Sequence, residues 1–331
     1  MTTAADVLQM VKDNDAKFVD LRLTDMLGKE MHLTIPAEHL TEDTFELGQP
    51  FDGSSFVGWR GIESSDMLLQ PDPNTARMDP FREANTLVLS CNVLEPTTGK
   101  GYERDPRSIA NRAESYLKST GIGDAAFFGP EPEFFIFDGV QWDHKPGSSF
   151  FRVTSEEAPW SSGLDMEGGN LGHRNRMKGG YFPVSPVDSL ADIRAEMCTL
   201  IEQQGVPVEI HHHEVGGAGQ CEIGTRFSTL VQRADWTQIV KYTVWNVAAA
   251  YGKTATFMPK PIEATTAPVC TCISRFGRKV RTFSAATAMP ASRIWRSTTS
   301  AASSSTPARS TLLRIRASIR TSAWFRALKR P

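Results

Sequence analysis

The stretch Gly129-Pro130-Glu131-Pro132-Glu133-Phe134-Phe135-Ile136-Phe137 decides how the middle of this chain folds. Its second half is bulky and apolar, which is typical of a buried strand, and the pattern predicts an interrupted strand over residues 125–138. Glu131 and Glu133 lie two positions apart, so both carboxylates of an extended segment point to one face. In an apolar setting they repel each other and resist ionisation unless a cation compensates. Two interpretations stay open: a divalent metal site, or a strand edge with two solvated acids.

A glycine-rich connection further along supplies two more acidic side chains. The segments flanking Val215-Gly216-Gly217-Ala218-Gly219 read as strands, and a hairpin of this kind brings Glu214 and Glu222 to one site. With the first two glutamates this predicts four carboxylates on three neighbouring strands. Such an oxygen-rich site favours Mg²⁺ or Mn²⁺ over Zn²⁺. The run His211-His212-His213 suggests zinc, but consecutive strand residues face opposite sides and cannot all bind one ion comfortably.

Two further patterns bear on ligand binding. Asp52 precedes Gly53-Ser54-Ser55 within residues 50–61, where the glycine and serine content predicts a loop. An aspartate beside small residues is usually turn chemistry, and the alternative is a carboxylate presented to a cation. The sequence has no Walker-type loop, no Gly-x-Gly-x-x-Gly and no nucleophile elbow. A bound nucleotide would therefore be held by acidic residues through metal ions.

Hydrophobic periodicity predicts a small N-terminal α+β unit that ends near residue 100, followed by a larger set of strands and helices. The predicted helices cover residues 4–11, 108–119, 185–205 and 235–251. The predicted strands cover 19–23 and 31–35, which form a hairpin, and then 86–94, 206–214 and 220–224. Asp188 or Ser189 is expected to cap the start of the third helix.

The composition is that of a globular protein, with 331 residues, 40% hydrophobic and 22% charged. The longest apolar runs fall far short of the roughly 20 residues that span a bilayer. No basic segment followed by an apolar core opens the chain, so no secretion signal is expected. Five cysteines without paired spacing favour reduced thiols. We therefore expect a cytoplasmic protein that does not associate with membranes.

The net charge of -2 conceals a break in composition. Every acidic residue lies within residues 1–263, whereas residues 264–331 contain 13 Lys or Arg and no Asp or Glu. One interpretation is a basic tail that binds nucleic acid. The other is a segment that was never selected as protein.

The assembled motifs resemble glutamine synthetase of the bacterial type I class, continuously from about Phe18 to Ile262. The motifs that carry the resemblance are, in order, Val19-Asp20-Leu21-Arg22, Phe51-Asp52-Gly53-Ser54-Ser55, Gly129-Pro130-Glu131-Pro132-Glu133-Phe134-Phe135, Lys178-Gly179-Gly180-Tyr181-Phe182-Pro183, His211-His212-His213-Glu214 with Gly219-Gln220-Cys221-Glu222-Ile223, and Gly252-Lys253-Thr254-Ala255-Thr256-Phe257-Met258-Pro259-Lys260-Pro261. The resemblance implies an α+β fold with a β-grasp domain over residues 1–103 and a catalytic domain with an antiparallel half-barrel over 104–263. It also implies a homo-oligomer, a dodecamer of two stacked rings.

The resemblance further implies ATP-dependent ligation of ammonium to L-glutamate, giving L-glutamine through a γ-glutamyl phosphate, with two Mg²⁺ or Mn²⁺ ions per site. Glu133, Glu214 and Glu222 match the ligands of one ion, and Glu131 matches a ligand of the other. The residues that match the ammonium side are Asp52, from a neighbouring subunit, with Ser55 and Tyr181. The residues that match the ATP side are Glu209, His212 and Phe227.

The resemblance stops after Ile262, where the family continues with a glycine-rich loop and histidines. Read one base out of frame, Ala264 to Gly277 is compatible with Gly-Asp-Asn-Gly-Ser-Gly-Met-His-Val-His-Gln-Ser-Ile-Trp, the string that the family has here. This predicts a one-nucleotide frameshift near codon 263, so that residues 264–331 are an out-of-frame tail and not a partner-binding segment. A histidine at the position of Thr271, a later glutamate and later arginines are then missing, and we expect impaired or absent synthetase activity.

Two other functions remain to be separated from this one. A γ-glutamyl ligase that uses another amine, such as a polyamine or methylamine, would share the same residues. A non-catalytic protein that binds nucleotide or full-length subunits and regulates assembly would keep the fold without turnover.

Overall fold

The computed structural model describes residues 1–165, 172–262 and 271–277, and its first unit is a six-stranded sheet with two helices. The elements are, in chain order, α1 (Ala4–Asp13), β1 (Phe18–Thr24), β2 (Glu30–Pro36), α2 (Glu42–Leu47), β3 (Gln49–Asp52), β4 (Asp66–Pro71), β5 (Arg77–Met78) and β6 (Thr86–Leu94). The sheet order is β2-β1-β6-β4-β3, with β5 also on β6, and only β1 and β6 are parallel. The predicted hairpin and the predicted strand over 86–94 are confirmed.

Alternating apolar residues build the core of this unit. Val19 and Leu21 of β1 are fully buried and lie opposite Ile35 and Leu33 of β2. The loop predicted over residues 50–61 is wrong at its start, because Phe51 and Asp52 pair with β4 as part of β3. The sequence does not reveal this short edge strand, since Gly53 follows it within one residue.

The second unit contains two small sheets, a hairpin and three helices. Its elements are α3 (Pro106–Thr120), β7 (Ala125–Glu131), β8 (Glu133–Phe137), β9 (Gly139–Lys145), β10 (Ser148–Thr154), α4 (Ala191–Gln203), β11 (Val208–His213), β12 (Gln220–Thr225), β13 (Ser228–Thr229), α5 (Leu230–Ala250), β14 (Thr254–Thr256) and β15 (Thr271–Gly277). One sheet has the order β11-β12-β8-β14, the other has β13-β7-β15, and β9 pairs with β10. The described pairings of these strands are antiparallel.

Apolar side chains of β8 and β12 form the core beneath α4 and α5. Phe134, Cys221, Met197 and Val240 are all fully buried in one cluster that draws on these four elements. Burying such side chains contributes about 1.5–3 kcal/mol each. The sheet that carries the acidic residues is therefore fixed from behind by two helices.

Two helix boundaries differ from the sequence prediction. Helix α4 begins at Ala191 and not at 185, and its N-cap position, Leu190, forms no side-chain cap. The predicted caps are wrong: Asp188 binds Arg194 through two hydrogen bonds of 2.9 and 2.5 Å, and Ser189 donates to Glu157. Helix α5 begins at Leu230, five residues earlier than the periodicity indicates.

Helix α5 also joins the two units through buried polar contacts. The Tyr242 hydroxyl donates to Asp79 Oδ2 at 2.8 Å, and Arg22 donates to the same oxygen at 2.6 Å. The Arg22 guanidinium lies 4.1 Å from the centroid of the Tyr242 ring. Lys241 donates to the carbonyl oxygen of Gly28 at 2.8 Å.

None of the helices in the described ranges has the length and apolar character that crossing a membrane requires.

Candidate metal centre

Three side chains of metal-ligand type converge at the turn end of the β11–β12 hairpin. Ligand atoms of His212, Glu214 and Glu222 all lie within 4.8 Å of one another. His212 on β11 lies directly opposite Glu222 on β12, and Glu214 follows β11 by one residue. The return between the strands requires Gly219, whose φ is +78° and whose added Cβ would meet the Ile136 carbonyl oxygen at 2.2 Å. The tight turn thus places Glu214 beside the other two side chains.

The charge balance of this cluster is negative. Burial, followed by the neighbouring charges of Glu131, Glu133 and Glu214, raises the pKa of Glu222 to about 7. Burial also raises the pKa of Glu131. Carboxylates held together in this way are each stabilised by a cation. Carboxylate oxygens suit Mg²⁺ or Mn²⁺, whereas the His212 imidazole also suits a transition metal such as Zn²⁺. The residues present therefore fit a divalent ion.

Glu131 and Glu133 do not share a strand, contrary to the expectation that one extended segment carries both. Glu133 belongs to β8 and lies opposite Glu222, where its Oε2 accepts from Gln220 Nε2 at 2.6 Å. Glu131 ends β7 in the adjacent sheet, opposite Thr271 of β15. The expected three neighbouring strands are found for Glu133, Glu222 and Glu214 but not for Glu131. Pro132 lies between β7 and β8, where the chain passes from one sheet to the other.

An aromatic pair lies over the cluster. Tyr181 and Phe182 stack with ring centroids 3.9 Å apart, and both rings meet the His212 ring edge-on, at 5.9 and 4.7 Å. Desolvation, followed by the charges of Glu214 and Glu222, raises the pKa of the exposed Tyr181 hydroxyl. His212 thus contacts both the carboxylates and the aromatic pair. Sequence reasoning assigned His212 only to the ATP side, although its register opposite Glu222 follows from the predicted hairpin.

The other candidate residues lie elsewhere. Asp52 ends β3 on the N-terminal sheet, and its Oδ1 accepts from the Ser54 backbone at 2.8 Å and hydroxyl at 2.7 Å, which lowers its pKa. In the described ranges these hydrogen bonds stay within the turn that also holds Ser55. Glu209 is exposed on β11, and Phe227 is half-exposed with its ring edge-on to Phe127 at 5.7 Å.

The sequence patterns did not predict one buried ion pair that lies behind the cluster. His213 and Glu157 have side chains that are 0% and 1% exposed, and His213 Nε2 donates to Glu157 Oε2 at 2.8 Å. His213 Nδ1 faces the carbonyl oxygens of Gly180 at 2.7 Å and Glu214 at 3.0 Å. Burial alone would lower the pKa of His213, but the hydrogen bond and charge of Glu157 outweigh it and raise that pKa. The two residues are 56 positions apart in the chain, so no local pattern predicts this pair.

Comparison with known proteins gives one consistent family. The model "Glutamine synthetase, beta-Grasp domain" matches residues 15–96, and "Glutamine synthetase, catalytic domain" matches residues 103–272. A glutamine synthetase of Methylococcus capsulatus is 59% identical over 260 residues, which are 78% of this chain and 55% of that protein. A protein of Cupriavidus pinatubonensis named 3-hydroxylaminophenol mutase is 66% identical over 260 residues, again 78% and 55% of the two chains.

A solved structure agrees with the sequence relatives. The Plasmodium falciparum glutamine synthetase superposes with a TM-score of 0.78 at 26% identity, covering 84% of this chain and 55% of that one. The α+β architecture, with a β-grasp unit before a curved catalytic sheet and helices, is the same. The chain spans about half the length of the relatives that it matches.

Proposed function

This chain belongs to the glutamine synthetase family, and from that premise we propose that its site serves the ATP-dependent ligation of ammonium to L-glutamate, giving L-glutamine through a γ-glutamyl phosphate. The observation that carries the proposal is the convergence of His212, Glu214 and Glu222, together with the raised pKa of Glu222. When Glu222 is ionised, the site carries an excess of negative charge that a bound cation would neutralise. Divalent cations are what phosphoryl transfer from ATP requires.

We propose that Glu133, Glu214 and Glu222 hold one divalent ion and that Glu131 holds part of a second. Mg²⁺ or Mn²⁺ bound there would neutralise charge on the phosphoryl oxygens. Gln220 donates to Glu133 and thereby fixes the orientation of that carboxylate. The pairing of β8, β11 and β12 holds these glutamates on a rigid sheet, so little reorganisation is needed when ATP binds.

The remaining candidates are assigned by their chemistry. Asp52 keeps a lowered pKa and an exposed carboxylate, which suits attraction of ammonium, and Ser55 lies in the same turn. We propose that this turn acts on the site of a neighbouring subunit in a homo-oligomer, a dodecamer, where Tyr181 closes the ammonium side. Phe227 offers an exposed aromatic face to adenine. Glu209 and His212 are assigned to the phosphate side of ATP by their resemblance to the family.

We further propose that residues 264–331 are encoded out of frame. The pairing of β15 with β7 supports this, because Thr271 lies opposite Glu131 and is the position at which the other frame encodes a histidine. That histidine would stand beside the glutamate assigned to the second ion. The chain as written should therefore bind a divalent ion at its first site and show little or no synthetase turnover.

The decisive experiment is a Mn²⁺ titration of the full 331-residue chain, followed by the electron paramagnetic resonance signal of free Mn²⁺. We expect saturable binding that Glu222→Gln weakens at least roughly tenfold, since a ligand oxygen and a negative charge are lost. Glu103→Gln, an exposed glutamate of the segment before α3, is the matched control. Equal Mn²⁺ binding by Glu222→Gln and the parent chain would remove the basis of the proposal.

A second candidate follows from the aromatic pair beside the cluster. The Cupriavidus relative is named for a mutase that acts on 3-hydroxylaminophenol, and Tyr181 stacked on Phe182 offers an exposed face for an aromatic ring. Incubating the chain with 3-hydroxylaminophenol and analysing the products by chromatography tests this activity. Formation of an isomer that Tyr181→Ala abolishes would favour the mutase, and an unchanged substrate would exclude it for this chain.

Two alternatives within the proposed scheme are separated by binding and competition assays. If polyamines or methylamine displace ammonium in γ-glutamyl transfer by the frame-restored chain, the enzyme is a ligase of another amine. If the chain binds ATP without turnover and enters co-expressed full-length assemblies, it is a non-catalytic regulator of assembly.

A further inference from the structure

The Glu157 carboxylate lies at the junction of four separate segments behind the metal centre. Its Oε1 accepts from the Ser189 backbone N–H and hydroxyl, each at 3.0 Å, just before α4. Its Oε2 accepts from the Gly219 N–H at 2.7 Å and from His213 Nε2 at 2.8 Å. Four hydrogen bonds on one buried carboxylate are the number that its two oxygens can accept. Glu157 is therefore fully satisfied in this position, which fixes the orientation of the His213 ring.

The fixed imidazole in turn holds the loop that carries the aromatic pair. His213 Nδ1 faces Gly180 O at 2.7 Å, and Gly180 directly precedes Tyr181. The contact is tight, because a Cβ at Gly180 would lie 2.7 Å from His213 Cε1 and 2.6 Å from the Glu214 carbonyl oxygen. The same nitrogen also reaches that Glu214 carbonyl oxygen at 3.0 Å. One ring nitrogen thus bridges the loop of Tyr181 and the backbone of a proposed metal ligand.

We propose that Glu157 and His213 form a buried positioning pair that sets the Tyr181 loop against the glutamate cluster. Glu157 orients the imidazole, and the imidazole fixes Gly180 relative to Glu214. Both side chains are buried, so the role proposed for them is positioning and not catalysis. The pair rests on the proposed function only for the roles given to Tyr181 and Glu214, while the loop placement itself is a property of this chain.

The two ring nitrogens can be tested one at a time. His213→Asn keeps an amide N–H near the position of Nδ1 and loses the contact with Glu157, whereas His213→Gln keeps a donor near Nε2 and loses the contact with Gly180. The readout is tryptic cleavage after Lys178, an exposed residue two positions before Gly180, divided by cleavage after the exposed Lys100. The ratio separates release of this loop from general unfolding, which speeds both cuts.

We expect His213→Gln to raise this ratio roughly tenfold, which is what one lost buried hydrogen bond does to a local opening equilibrium. His213→Asn should raise the ratio less than His213→Gln and about as much as Glu157→Gln, because the donor to Gly180 is kept but Glu157 no longer orients it. His144→Gln and His144→Asn, at an exposed histidine of β9, are the matched controls. Equal ratios in the two His213 variants would overturn the proposal, whether both are high or both match the parent.

A double-substitution cycle tests whether Glu157 acts through His213. Glu157→Gln should raise the cleavage ratio in the parent chain but add little in the His213→Asn background, where the contact between them is already lost. Additive effects would show that Glu157 acts on the loop by another route and would overturn the pairing.

Mn²⁺ affinity of the same variants links the pair to the proposed function. Glu157→Gln should weaken Mn²⁺ binding by about tenfold or more, the usual effect of losing an outer-shell partner of a metal site. If the parent chain binds no Mn²⁺ but the cleavage pattern is as expected, the proposed function loses its metal site and the positioning pair stands. If the cleavage pattern fails, the pair is wrong whatever the Mn²⁺ affinity.

Discussion

Glu222 makes the stability of the metal-free chain depend on pH. Its folded-state pKa is raised from 4.5 to about 7, so the folded chain holds a proton that the unfolded chain has released between these values. Stability must then fall as pH rises through this window, by roughly 3 kcal/mol at most for this group. Urea unfolding in chelator at pH 5 and pH 8 should show a smaller loss for Glu222→Gln than for the parent chain.

The control for that prediction is Glu103→Gln, which should keep the parent's pH dependence because this glutamate is exposed. Added Mn²⁺ should stabilise the parent more at pH 8 than at pH 5, since the ion competes with the proton for the same carboxylate. An identical pH dependence of Glu222→Gln and the parent would contradict the charge balance described for the cluster.

Phe227 tests the nucleotide side of the site. If adenine stacks on its exposed ring, Phe227→Ala should weaken ATP binding roughly tenfold, within the range of about 1–3 kcal/mol found for stacking of a base on an aromatic side chain. Isothermal titration calorimetry with ATP and Mg²⁺ measures this, and Phe150→Ala on β10, at a comparably exposed phenylalanine, is the control. Equal weakening by both substitutions would argue against a stacking role.

Helix α5 contributes to the stability of the fold through Tyr242, whose hydroxyl donates to Asp79 of the first unit. Tyr242→Phe should lower the free energy of unfolding by about 1 kcal/mol, the value of one hydrogen bond to a carboxylate that keeps its Arg22 partner. Tyr251→Phe, whose hydroxyl donates to the exposed Glu196, should change it by less than about 0.5 kcal/mol. Urea denaturation followed by far-ultraviolet circular dichroism gives both values. A larger effect at Tyr251 would contradict this ranking.

Local sequence patterns predicted some of these helices and strands and missed others. Alternation predicted β1 and β2 because the apolar side chains of each strand lie on the face that enters the core. The other face of β1 is buried too, through the polar side chains of Asp20 and Arg22. The sequence did not predict that residues 125–138 divide between two sheets. The sheet that each strand joins depends on partners far along the sequence, which are Gln220 to Glu222 for β8 and Thr271 for β7. The start of α4 was missed because Asp188 and Ser189 bond to Arg194 and Glu157 instead of capping.

At the scale of the whole molecule, the proposed frameshift predicts that correcting the reading frame restores synthetase activity. Restoring the reading frame at codon 263 should produce ammonium- and glutamate-dependent phosphate release from ATP, whereas the 331-residue chain should give little or none. The reason is that the string with Met-His-Val-His would then face β7. Sequencing codons 250–290 on independently prepared DNA is the companion measurement. Equal turnover by both proteins would contradict the proposal.

At this scale the family and fold class were predictable because six motifs occur in a fixed order, each specific in its context. The cluster was predictable in part: the hairpin geometry gave Glu214 and Glu222, but not the place of His212 within it. Glu157 and His213 were not predictable, because a buried ion pair between distant segments leaves no periodic trace in the sequence.

Strand β14, Thr254–Thr256, completes the order β11-β12-β8-β14 before the composition changes at residue 264. Every residue of the His212, Glu214 and Glu222 cluster, and the helices that pack behind it, has therefore been synthesised before the ribosome reaches codon 264. Domains fold as units during synthesis, from the N-terminus onward. A nascent chain can thus close this sheet while the remaining codons are still being translated, so the frame in which they are read does not decide whether Glu214 and Glu222 meet.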